Sequence, residues 1–354
     1  MEIKFLKRKG KDIPKRSFYS VTEQEIDNYA NGLNDELKVI HFTHTDIGGK
    51  VCGLLGHRTF SNIETKYCSH RDVDDIINTF ILIDREYVNY DIILVSDVCL
   101  NKGTLINLDN VQKYTKDKVK VQYYNHQDKN LGLKYPWAHI ETIFDEIQQD
   151  SASIMYRWMI DDFKLSADDW LDNLVEKSRR YTKWEWKALE DEVSNSLSML
   201  CHDSGHEFFV KTLIKKHISN SELLTEEDYD KLNYLEKQYL AYKKRKINEV
   251  ILSRIGNARV GVVFAEQYID RLGDDIPRHY KNLNSVIIIN SLTALNIRNP
   301  IDAATDACNL AKIFGGDGEK KAAGASIPVE IREEIINFFI NLSEERFSKI
   351  KKSR

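Results

Sequence analysis

Val39-Ile40-His41-Phe42-Thr43-His44-Thr45-Asp46-Ile47-Gly48-Gly49 is the stretch on which the fold turns. Val39-Ile40-His41-Phe42 is a short apolar strand that runs into a polar turn, and residues 50–59 read as a helix. Two further apolar runs end the same way. Asp91-Ile92-Ile93-Leu94-Val95-Ser96-Asp97 closes on an acid, and Val119-Lys120-Val121-Gln122-Tyr123-Tyr124 closes on Asn125-His126-Gln127. Helix-suited stretches such as residues 73–83 lie between them. Strands alternating with helices predict an α/β fold built on a parallel sheet with crossovers. In such sheets the ligand crevice lies at the carboxyl ends of the strands, where each polar cluster falls.

Outward from this core, residues 140–216 read as helices carrying Trp158, Trp170, Trp184 and Trp186, taken as core. Residues 225–254 read as one long helix, with Thr225 as its N-cap and Glu226, Glu227 and Asp228 in its first turn. Ala258 to Phe264 and Ser285 to Asn290 are buried-strand candidates. A glycine-rich turn, Phe314-Gly315-Gly316-Asp317-Gly318-Glu319-Lys320-Lys321-Ala322-Ala323-Gly324, precedes a last amphipathic helix over residues 329–349. The expected division is a basic N-terminal arm (1–37), a parallel-sheet domain (38–220), a linker helix (221–255) and a smaller α/β domain with a C-terminal helix (256–354). The arm holds Lys4, Lys7, Arg8, Lys9, Lys11, Lys15 and Arg16, and reads as solvated or as attracting phosphate.

The 354 residues suffice for two domains, and 42% hydrophobic with 30% charged residues is ordinary for a globular chain. A net charge of −4 argues against a protein that coats long nucleic acid. Five cysteines without a C-x-x-C pair argue against a disulfide framework or zinc knuckle and favour a reducing cytosol. With no secretory h-region and no long apolar run, a cytoplasmic protein without a membrane span is expected.

His44, Asp46, Asp97 and His126 share a chemistry. Hard divalent ions such as manganese or magnesium take carboxylate oxygens and imidazole nitrogens converging from several strand ends. Singly, each has an ordinary explanation, since a strand-end Asp caps the next helix and a His packs with one hydrogen bond. Their arrival at successive strand ends is what makes a metal site worth expecting.

The ordered set H-T-D-I-G-G, V-S-D, N-H-Q, Y-T-K-W-E-W and G-G-D-G-E-K-K-A-A-G resembles the DHH phosphoesterase superfamily, on the side of its small-oligoribonucleotide and cyclic-dinucleotide phosphodiesterases. Phe42-Thr43-His44-Thr45-Asp46, Trp184-Glu185-Trp186 and Gly261-Val262-Val263-Phe264-Ala265-Glu266-Gln267 support it, over residues 38–330. The resemblance implies a catalytic N-terminal domain, a linker helix and a substrate-gripping C-terminal domain, with ligand in the cleft between the domains and a homodimer. It also shows departures. The second aspartate of the family's first motif stands as Gly48, Asp-His-His as Asn125-His126-Gln127, the last metal-binding aspartate as Thr182, and the substrate-touching histidine of the glycine-rich turn as Glu319. One ion's ligands survive in His44, Asp46 and Asp97, while the second keeps the shared Asp97 and His126.

The expectation is therefore a protein that binds a small nucleotide with one Mn2+ or Mg2+ ion, or none, and with hydrolysis lost or much reduced. Backbone N–H groups around Gly315, Gly316 and Gly318 would cradle phosphate, with Arg298, Lys320 and Lys321 supplying charge and Glu319 opposing it. An active single-ion phosphodiesterase and an interaction protein with relic pockets are the alternatives.

Overall fold

The computed structural model describes residues 17–126 apart from 31 and 33, 134–290, 294–300, 305–334 apart from 319, and 337, 340 and 341. The chain divides into two compact units, Met1–Leu232 and Asn233–Arg354.

The first unit opens with a short helix, α1 (Glu23–Asp27), stabilised by a capping box between Thr22 and Glu25. Val21 and Tyr29, on either side, are buried. From Ser17 the chain thus packs onto the unit, where an arm to residue 37 was expected, and the basic cluster at 4–16 lies outside the described residues.

The sheet of this unit holds β1 (Lys38–His44), β2 (Asn62–Cys68), β3 (Ile92–Ser96), β4 (Lys120–Asn125) and β5 (Ala138–Ile140), and β6 (Ile143–Phe144) pairs separately with β7 (Ile147–Gln148) as a short antiparallel hairpin. The sheet's order is β2-β1-β3-β4-β5 and every pair in it is parallel. The crossovers are α2 (Ile47–Thr59), α3 (Val73–Asn78) with its π-helical extension Thr79–Ile83, and α4 (Lys102–Tyr114). Alternation along the strands fills both faces. Val39, Ile92 and Leu94 join the core beside α2, while Ile40, Ile93 and Val95 join the core on the opposite face. The α2 side is completed by α5 (Ser151–Phe163), α6 (Asp169–Thr182), α7 (Glu185–Ala188), α8 (Glu192–Asp203) and α9 (His206–Ile218). Lys50 is buried within α2, and its ammonium donates to the carbonyls of Cys201 (2.6 Å) and Ser204 (3.2 Å) at the end of α8. Trp158 and Trp170 pack against this core, but Trp184 is 46% exposed, so the four tryptophans do not form one core stripe.

The predicted helix over 225–254 is shorter. α10 (Glu226–Asn248) ends six residues early, and Ile251–Ile255 forms β8, paired antiparallel with β9 (Ala258–Phe264). Apolar Val250-Ile251-Leu252 and a turn at Gly256 (φ +58°) favour a hairpin over helix propagation. The second unit's sheet runs β12-β13-β11-β10-β9-β8, with β10 (Ser285–Asn290), β11 (Ala294–Arg298), β12 (Asp317–Gly318) and β13 (Ala322–Ser326). β9 and β10 are parallel, with α11 (Ile269–His279) between them, and α12 (Ala307–Lys312) follows β11. Both units are therefore α/β, as the strand–helix alternation predicts. The last predicted helix is helical over 329–334, and from 342 onward it lies outside the described residues. Among the described residues no helix is long and apolar enough to cross a membrane.

Candidate metal centre

Three side chains meet at the carboxyl end of the parallel sheet. His44 ends β1, Asp46 is the N-cap of α2, and Asp97 follows β3 in a left-handed conformation (φ +57°) that aspartate tolerates better than most residues. Their ligand atoms all lie within 4.8 Å of one another. Asp46 keeps its ordinary role as well: Oδ1 accepts from the Gly49 N–H at 3.0 Å, while Oδ2 lies 3.0 Å from His44 Nδ1. Gly49 is required here because a Cβ would meet the His44 carbonyl oxygen at 2.1 Å, so helix and strand end could not approach this closely.

His126 stands just past β4, with Nδ1 4.0 Å from Asp97 Oδ1 and 3.0 Å from Ser151 Oγ. All four sequence-predicted ligands of the first unit are thus gathered at one sheet end, three of them tightly. The degenerate positions are equally informative. A Cβ at Gly48 would sit 2.6 Å from Asp97 Oδ2, so a side chain at 48 would enter the centre itself. Asn125 is turned inward: its Nδ2 donates to the Val98 carbonyl and to Tyr123 Oη, each at 2.7 Å, and its Oδ1 accepts from the His126 N–H. Thr182 is the last residue of α6, and Gln127 lies outside the described residues.

Electrostatics separate the two carboxyls. Burial pushes the Asp97 carboxyl well above its ordinary range, and the Asp46 charge adds to this. Burial works on Asp46 in the same direction, but the His44 imidazole and the Gly49 N–H outweigh it and hold that carboxyl low. Burial, reinforced by the Lys183 charge, lowers His126 to about 4 and keeps it neutral. Asp97 Oδ2 is buried with no hydrogen-bond partner among the described residues, beside the His44–Asp46 pair. An orphaned carboxylate oxygen converging with a second carboxylate and an imidazole fits a hard divalent cation held by His44, Asp46 and Asp97.

Sequence reasoning missed several neighbours. His70 stacks on His44 with ring centroids 4.3 Å apart, and the β1–β2 register, which pairs His44 with Cys68, brings it there. Buried Asp150 caps α5 through Ser153 and also accepts from Ser178 Oγ at 3.2 Å, next to the Ser151 that orients His126. Beneath the centre, His41 Nε2 and Thr43 Oγ1 each lie 2.8 Å from Ser96 Oγ, tying β1 to β3.

The remaining predicted ligand-binding residues belong to the second unit. Arg298, on β11, is ion-paired with Asp270 of α11. The amides of Gly315 and Gly316 return to the carbonyls of Lys312 (3.1 Å) and Ala311 (2.9 Å), closing the end of α12. The expected phosphate cradle is therefore corrected at these two positions, whose N–H groups serve a helix cap. Gly318 lies in β12 opposite Ala323, Lys320 and Lys321 are exposed, and Glu319 lies outside the described residues.

No protein-family model matches the chain. Oligoribonuclease NrnB of Bacillus subtilis (strain 168) is 24% identical over 296 residues, covering 82% of this chain and 73% of that protein. Among solved structures, the DHH domain of a protein described as a member of a ribosomal-protein family aligns with a TM-score of 0.58 at 11% identity, over 90% of this chain and 88% of that one. Exonuclease RecJ bound to manganese aligns with a TM-score of 0.51 at 10% identity, over 89% and 91%. These two likenesses concern the fold. With motifs in the same order and a relative in sequence that spans most of its length, the chain is similar to the DHH phosphoesterase superfamily on its small-oligoribonucleotide side, and it shares the fold of the two solved structures.

Proposed function

We propose that this protein binds a small nucleotide, a short oligoribonucleotide or a cyclic dinucleotide, at a DHH centre reduced to one ion, with phosphodiester hydrolysis lost or much reduced. The supporting observation is the inward turn of Asn125. With Nδ2 committed to Val98 and Tyr123 and Oδ1 already accepting from His126, it brings an ion no carboxylate charge. Gly48 has no side chain to give, so a second cation finds little anionic charge. When bound, a divalent ion supplies Lewis acidity toward phosphoryl oxygens, and a pair of ions shares the attacking and leaving oxygens between them. Losing one costs several kcal/mol of that stabilisation, on the order of a thousandfold in rate. His44, Asp46 and Asp97 would hold the remaining ion, and His126, kept neutral and oriented by Ser151, would face the ligand.

A single-ion phosphodiesterase is the second reading, favoured by the convergence of three ligands and by the oligoribonuclease relative. Incubating the full chain with manganese and a 5′-phosphorylated diribonucleotide, then separating products by chromatography, decides between them. Retained, intact ligand is expected. Steady release of mononucleotide, abolished in Asp97→Ala, would install the second reading. Failure to bind any of a panel of di-, tri- and cyclic nucleotides would sink both and leave an interaction protein with relic pockets. The resemblance supports a homodimer, and five cysteines without a disulfide support a reducing compartment such as the cytoplasm.

A further inference from the structure

The segment after α6 carries an exposed aromatic in a strained backbone. Trp184 has φ +60° and ψ 13°, a left-handed conformation that is an outlier for a bulky side chain, and it is 46% exposed. Strain of this kind persists only where neighbours over-determine it. Arg179, itself buried, does so by gripping both oxygens of Glu185 at 2.8 Å each, with the Trp184 N–H returned to the Tyr181 carbonyl at 3.0 Å. The same turn is fastened to the segment that orients His126. Arg179 Nη1 donates to the Gln148 carbonyl at 3.1 Å, and Ser178 Oγ to Asp150 at 3.2 Å, beside the Ser151 whose Oγ lies 3.0 Å from His126. Lys187 adds a cation 4.7 Å from the centre of the Trp184 ring. Trp184 also lies only two residues beyond Thr182, so their Cα atoms are at most about 7.6 Å apart.

An exposed tryptophan alone would mean little. One held out under strain by a buried clamp, and tied through Gln148 and Asp150 to the segment that orients His126, has a chemistry to serve. We propose that Trp184 is a stacking platform for a nucleobase of the bound nucleotide, which rests on the nucleotide-binding reading above and adds base recognition to it. The indole face stacks on any base, so this site would tell base-bearing ligands from bare sugar-phosphates without choosing strongly among bases.

The test compares the full chain with its Trp184→Gly and Trp184→Phe variants by calorimetry in manganese. One ligand is a 5′-phosphorylated diadenosine and the other an abasic diribose phosphate of equal charge. Glycine takes the left-handed conformation freely, so Trp184→Gly should melt no lower than the parent and isolates the ring. It should bind the diadenosine about tenfold or more weakly and the abasic ligand unchanged, while Trp184→Phe stays within about threefold. Equal binding of the diadenosine by parent and Trp184→Gly would overturn this proposal alone, as would equal weakening toward both ligands. If the parent binds neither ligand, the nucleotide-binding reading falls and takes this one with it.

Discussion

At Asp97 a carboxylate oxygen is buried without a hydrogen-bond partner beside a second carboxylate, a placement that destabilises the metal-free fold. Asp97→Asn should therefore raise the metal-free melting temperature by roughly 2–4 °C, about 1 kcal/mol, while removing the rise that manganese gives the parent. Thermal melts with and without the ion check both halves. The pH dependence has a definite sign. The Asp97 carboxyl is raised in the folded chain, so its proton stabilises the fold at low pH, and that contribution is lost as pH rises through the folded value. Manganese competes with that proton, so its affinity should increase with pH, which calorimetry at several pH values measures. His44, Asp46 and Asp97 were legible because their residue types sit at successive strand ends. The inward turn of Asn125 was not, since Tyr123 and the Val98 carbonyl decide it and neither marks itself in the sequence.

Among elements, the strands buried on both faces (β1, β3, β4, β9, β10) stood out as apolar runs. β2 and β8 did not: β2 mixes Glu64 and Lys66 into an edge strand, and every residue of β8 is exposed. Missing β2 also hid His70, whose stacking on His44 depends on strand register. The start of α10 was read from its acidic first turn, yet Asp228 does more than favour the dipole. It accepts from the Thr225 N–H and hydroxyl and pairs at 2.5 Å with Lys216, which is 2% exposed. Asp228→Ala leaves a buried ammonium without its carboxylate and should cost about 3 kcal/mol, measured by urea denaturation. Lys231→Ala, which removes a half-exposed pair with Asp203, should cost well under about 1 kcal/mol in the same assay.

For the whole molecule, the candidate metal ligands found among the described residues lie in the first unit. Manganese at a hundred times its dissociation constant should stabilise that unit by about 2.7 kcal/mol. Hydrogen exchange should then slow around the ends of β1 and β3 and stay unchanged in the second unit. Acid should act on the same unit. Burial lowers His41 to about 3 and His126 and His139 to about 4, from an ordinary 6.5. The unfolded chain binds these protons more readily, so stability present above pH 6.5 is lost as pH falls toward 4. His139→Gln should make the melting temperature fall less steeply across that window.

The crowding of Asp97 over Gly48 limits what position 48 can carry. An aspartate placed there would have to displace the Asp97 carboxylate and would add a third acid to a cluster that already holds two. One placed at 125 would enter a niche shaped for an amide donor. Each change alone would weaken the fold at this end of the sheet, which makes the glycine and the amide a matched pair.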